Sequence, residues 1–152
     1  MAYTHADGRI IHAASRRFRV LSSVAVKAGD LVYMAGSTGL ALATQTTAAS
    51  ALTTAADFVA CEDIAAAGTG WCALAVELKA PDTIGAGGAV TAGTLATTAD
   101  IGAPLYLAAS AGCATSTAPS AASAVIKQYV GYVLSTDRVI LSPLVVGKDT
   151  TA

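Results

Sequence analysis

The chain has 152 residues, of which 54% are hydrophobic but only 12% are charged, and its formal net charge is −1. Alanine supplies 36 of the hydrophobic residues and the large apolar types (Leu, Ile, Val, Met, Phe, Trp) 38, enough for one modest core and one domain. No apolar run escapes Gly, Thr or Ser long enough to span a bilayer, and neither a CxxC nor a zinc-ligand spacing occurs.

Residues 1–19 hold Arg9, Arg16, Arg17 and Arg19 against Asp7 alone, a net +3, whereas the other 133 residues hold five basic and nine acidic groups, a net −4. Apart from Ile10–Ile11 this segment has no sustained periodicity, and it is read as an extended arm that orders on an acidic partner. Its start, MAYTHADGRI, lacks the apolar segment of a secretory leader, which points to a chain made in the cytosol.

From residue 20 to 152 the text is that of one β-rich domain. Val20–Val26 alternates, Lys27-Ala28-Gly29-Asp30 is a turn in which Asp bonds back to the backbone, and Leu31–Met34 is a strand. Gly36–Gly39 turns into an alternating Leu40–Ala43. Thr44–Ala56, with the lone large residue Leu52, reads as a loop or a short weak helix. Phe58–Cys61 is a strand, Ile64–Gly70 a turn, and Trp71–Leu78 (WCALAVEL) one alternating strand. Pro81–Gly93 reads as a Gly-rich loop around a short Ala89–Thr91 segment, Leu105–Leu107 as a strand and Pro119–Ala124 as a loop. Tyr129–Leu134 and Val139–Leu141 form a hairpin through Ser135–Arg138. Gly29–Gly39 aligns with Gly102–Gly112 at an offset of 73, and Phe58-Val59-Ala60 with Tyr129-Val130-Gly131 at 71, a weak internal repeat. Short strands cut by frequent turns make an all-β (mainly β) fold, a small β-barrel or sandwich.

Residues suited to catalysis are scattered. His5 and His12 lie in the arm, where nothing rigid aims them at a nucleophile. Cys61, Cys72 and Cys113 are odd in number and unrelated in spacing, so they are read as buried free thiols. Glu62 and Asp63 are adjacent and read as solvated turn charges. Glu77 interrupts an apolar run, either facing outward or pairing with Lys79 or with an arginine across a subunit contact. Gly85-Ala86-Gly87-Gly88 lacks the Lys-Ser/Thr ending of a phosphate loop. The domain behind the arginines is acidic and poor in aromatics, which opposes nucleic acid as their partner. Charged residues stand well below the roughly 25% of an ordinary soluble domain, which points to a subunit of an assembly.

Val26-Lys27-Ala28-Gly29-Asp30-Leu31-Val32-Tyr33, Gly102-Ala103-Pro104-Leu105-Tyr106-Leu107 and Val130-Gly131-Tyr132-Val133-Leu134 with Val139-Ile140-Leu141-Ser142-Pro143 resemble the head-decoration (capsid cement) proteins of tailed bacteriophages. The similarity covers about residues 20–146, and Thr44–Ala56 is an insertion relative to the shortest members. The resemblance implies a non-enzymatic domain of β-barrel-like (β-tulip) fold at residues 20–152. It also implies homotrimers on the capsid exterior and a basic arm, residues 1–19, laid over the major capsid protein. On that basis Arg9, His12, Arg16, Arg17 and Arg19 are the expected capsid contacts. Neither cofactor, metal, nucleic acid, membrane nor small-molecule substrate is expected. Two alternatives stand beside it. A phage fibre or surface-adhesion module shares the composition. Val26–Gly36 is also similar to the first strand pair of the imine-deaminase family. That family continues with a long amphipathic helix and a late carboxylate-gripping arginine. Thr44–Ala56 lacks the helical stripe, and Arg138 falls in a hairpin turn.

Overall fold

Runs of β-branched and aromatic residues only three to five long, separated by turn-forming Gly, Ser and Asp, give strands that cannot bury a face alone and must stack as sheets. A computed structural model describes residues 10–45, 54–79, 82–84, 90–92, 101–119, 126–135, 138–143 and 148–149. The strands are β1 (Ile10–Ala14), β2 (Arg17–Leu21), β3 (Leu31–Met34), β4 (Leu40–Leu42), β5 (Phe58–Ala60), β6 (Thr69–Ala73) and β7 (Val76–Lys79). They continue with β8 (Asp82–Ile84), β9 (Val90–Ala92), β10 (Pro104–Leu107), β11 (Ala114–Thr115), β12 (Lys127–Ser135), β13 (Arg138–Leu141) and β14 (Lys148–Asp149). The fold is all-β: a curled, half-barrel sheet of order β1-β7-β13-β12-β10-β11, with β14 on β12, and a second sheet of order β2-β6-β5-β3-β4. Every ladder within them is antiparallel.

Three expectations are corrected. Residues 10–19, assigned to an extended arm, are built into the sheets: β1 pairs with β7 in one and β2 with β6 in the other. Residues 1–9 lie outside the described residues. Trp71–Leu78 is not one strand, because the chain leaves the second sheet after Ala73 and joins the first at Val76. The ribbon partner makes the same crossing at Ser15–Arg16, and Ser15 pins the two corners together. Its N–H donates to the Ala75 carbonyl (2.9 Å) and the Ala75 N–H donates to its Oγ (3.1 Å). The Gly-rich stretch contains a two-stranded hairpin, β8–β9, whose tip at residues 85–89 lies outside the described residues. Most of Thr44–Ala56, at residues 46–53, does too. Its ends meet, with the Thr44 N–H on the Thr54 carbonyl and the Thr54 hydroxyl on the Thr44 carbonyl, both 3.0 Å.

The sequence repeat has a structural counterpart. Strands β2, β3, β4, β5 and β6 lie in the spatial order β2-β6-β5-β3-β4, and β7, β10, β11, β12 and β13 lie in the matching order β7-β13-β12-β10-β11. Gly29 and Gly102, which lead into β3 and β10, both hold positive φ (85° and 83°). The ladders align Val32 with Tyr106, each opposite the equivalent strands at Leu42 and Phe58 or Thr115 and Tyr129. That is one residue off the sequence offset of 73, and the register shift between Leu105 and Tyr106 in the β10–β12 ladder falls at the same place.

The main core lies between the sheets. Leu31, Val59 and Ala73 of the second meet Val76, Leu78, Leu105, Leu107, Val130, Val133 and Leu141 of the first, all at most 4% exposed. Strand alternation turns Val32, Ala60 and Cys72 to the opposite side of the second sheet, where Val26 and Ile64 cover them. Those two connecting segments are themselves joined at a Val26–Ile64 bridge. The second sheet is thus buried on both faces over most of its width, and its β2 margin is the exception.

Candidate interaction surface

In Arg17-Phe18-Arg19-Val20-Leu21 charged or large residues alternate with apolar ones, the period-two pattern of a half-buried strand. Arg17, Arg19 and Leu21 are exposed, whereas Phe18 and Val20 turn to the smaller core, Phe18 packing edge-on to Phe58 with ring centroids 4.8 Å apart. In the β2–β6 ladder Arg17 lies opposite Ala73, Arg19 opposite Trp71 and Leu21 opposite Thr69. This is the side of the sheet that packs on its neighbour. Leu31, Val59 and Ala73 are covered, and Trp71, Arg19 and Leu21 continue the row into solvent.

Arg19 is held rather than free. Its guanidinium lies 5.7 Å from the centre of the Trp71 ring, and Nη2 donates to the Thr69 carbonyl at 3.5 Å. Trp71 is 39% exposed, and its backbone N–H donates to Glu62 Oε1 (3.1 Å). Arg16 stands exposed at the corner beside this row. Among the described residues the two ion pairs are Lys27–Asp63 (3.2 Å) and Arg138–Glu77 (2.8 Å), and no carboxylate lies within salt-bridge reach of Arg16, Arg17 or Arg19.

Of the expected contact residues, Arg17 and Arg19 therefore share one face of a folded strand margin, and Arg16 stands exposed at the bend before it. His12 belongs to the backbone of β1, at the irregularity between Ile11 and Ala13, and Arg9 lies outside the described residues. Trp71 and Leu21 complete the surface and were not foreseen as part of it. Glu62 and Asp63 stitch turns, Asp63 accepting from the Ala28 N–H (2.9 Å) and from Lys27. Glu77 pairs with Arg138 of the same chain on the adjacent strand, not across a subunit contact.

Burial pushes the Cys61 thiol up, with Arg17 pulling it back in part, and burial pushes Cys72 up to about 12. Both stay protonated at neutral pH, which makes them poor nucleophiles. They also lie on opposite faces of the sheet, Cys61 beside Trp71 and Cys72 opposite Ala60. A second exposed patch lies on the outer face of the curled sheet. Tyr132 and Leu134, on one face of β12, are 45% and 40% exposed, and Ile101, 49% exposed, precedes the Gly102 whose N–H bonds the Val133 carbonyl.

Comparison with protein-family models, with curated proteins and with solved structures gave no match for this chain.

Proposed function

We propose that this protein is a structural subunit of a phage particle that binds the capsid exterior as a homotrimer and stabilises the shell by adhesion rather than by catalysis. The observation that carries the proposal is the pair Arg17 and Arg19 on a folded strand margin beside Trp71, with Arg16 exposed at the bend before it and no carboxylate partner for the three among the described residues. Guanidinium groups so placed favour an anionic protein surface, because charge-assisted, bidentate bonds to carboxylates gain more than neutral ones. The resemblance of residues 20–146 to head-decoration proteins supplies the capsid as that surface. Trimerisation draws on the second patch: Ile101, Tyr132 and Leu134 are neutral and apolar and carry no charge that would repel a second copy.

Light scattering on the purified chain, alone and after mixing with undecorated capsids of the parent phage, tests the proposal. A free trimer that co-sediments with capsids is expected, and Tyr132→Glu/Leu134→Glu is expected to yield folded monomers. A monomeric wild type that ignores capsids, or an elongated fibre, overturns it.

A further inference from the structure

We infer that the outer edge of β2 receives an extended acidic segment of the partner protein as an additional strand, its carboxylates opposite Arg17 and Arg19; this rests on the reading of an acidic protein partner given above. Strands β1 and β2 are the terminal strands of the two sheets, so one continuous chain forms a margin that no other strand covers from Ile10 to Val20 among the described residues; beyond it the start of β4 closes on the chain, with Leu40 bridging Ser22 and accepting from the Ser23 N–H. A sheet margin offers backbone donors and acceptors in strand register, which is what an incoming strand needs.

The side chains state what that strand must be. Arg17 and Arg19 are two residues apart on one face, and Phe18 and Val20, half-buried, lie on the other. An added strand places its side chains beside these in the same alternation, so it must carry acids at every second position and apolar residues between. A second copy of β2 fails this requirement, because arginines would face arginines. Of the other sheet margins, Leu40–Leu42 and Ala114–Thr115 bear no carboxylate, and Asp82–Ile84 and Lys148–Asp149 bear one aspartate each in strands of three and two residues, too few for acids at alternate positions. Charge on a margin also serves simply to repel chance pairing. Arg19 rests over β6, on Trp71 and the Thr69 carbonyl, so an incoming carboxylate must draw it back across β2, whereas no side-chain hydrogen bond holds Arg17 among the described residues.

The test titrates the isotopically labelled full chain with a peptide of about eight alternating Glu and Val residues, which spans β2 at roughly 3.3 Å per residue. The comparison peptides replace Glu with Gln or shuffle the order into separate Glu and Val blocks. Strand addition predicts amide protection confined to residues 10–21. It also predicts binding at least about tenfold tighter than for either comparison peptide. Arg17→Glu/Arg19→Glu, checked for retained fold by circular dichroism, should reverse the preference toward a Lys/Val peptide. Equal binding of the shuffled peptide, protection elsewhere, or no binding overturns strand addition. The wider reading fails separately, if the arginine variants keep full occupancy on capsids.

Discussion

Gly131→Val is expected to leave no cooperatively folding chain, with the thermal unfolding transition lost. Gly131 sits in β12, which pairs with β10, β13 and β14 and so ties the curled sheet together. Its φ is 153°, and a β-carbon there would overlap the backbone carbonyl of Ile140 on β13. The obstacle is backbone, which cannot swing aside as a side-chain tip can, so relief requires parting the β12–β13 ladder beside buried Leu141 and Val130. Forced overpacking of this kind costs more than about 4 kcal/mol, a large part of the ~5–15 kcal/mol that holds a domain together. Gly102→Ala supplies the contrast. Its φ is also positive (83°), but nothing stands within 4 Å of the added carbon. There the loss should be about 1–2 kcal/mol, from the left-handed backbone alone.

Gln128→Ala is expected to lower stability by about 2–4 kcal/mol in urea denaturation, with the slope of the transition unchanged. Gln128 is wholly buried, and its amide acts as a missing strand neighbour for Ala56, itself fully buried. Oε1 accepts from the Ala56 N–H and Nε2 donates to the Ala56 carbonyl, both at 2.8 Å, and Nε2 also reaches the Pro143 carbonyl at 3.4 Å. Truncation strands the Ala56 N–H and carbonyl away from water. Gln128→Leu restores volume but not the bonds, so it should recover only the cavity part of the loss. A near-neutral result for both variants would mean that Ala56 finds other partners.

Local signals in the sequence carried far. Leu31–Met34 is a strand with the bounds its Val/Tyr content implies, and the turn before it closes as Gly29 and Asp30 suggest, the Lys27 N–H donating to Asp30 Oδ2 at 2.8 Å. The β12–β13 hairpin and the repeated turn-strand unit were also legible, because each is a local pattern. What escaped depends on contacts distant in sequence. The alternation in Arg17–Leu21 is a strand signature, but the density of arginine suggested a solvated arm, and only β6, about fifty residues onward, makes it a strand. The break at Leu74–Ala75 has no sequence mark, since it exists because two sheets must share one ribbon. Trp71 was legible only as a strand residue. It shares a sheet face with buried Ala73, but at the margin the first sheet no longer covers that face, and Trp71 stays exposed under Arg19. Gln128 drew no notice because one polar residue beside a strand says nothing of a partner 72 residues away.

The most direct measurement is occupancy of Arg16→Ala/Arg17→Ala/Arg19→Ala on purified undecorated capsids. The three side chains are exposed at a margin, so the variant should keep the wild-type melting temperature. Its occupancy should fall at least about tenfold, and wild-type binding should weaken as salt rises. Unchanged occupancy of a folded triple variant would contradict the role assigned to this strand.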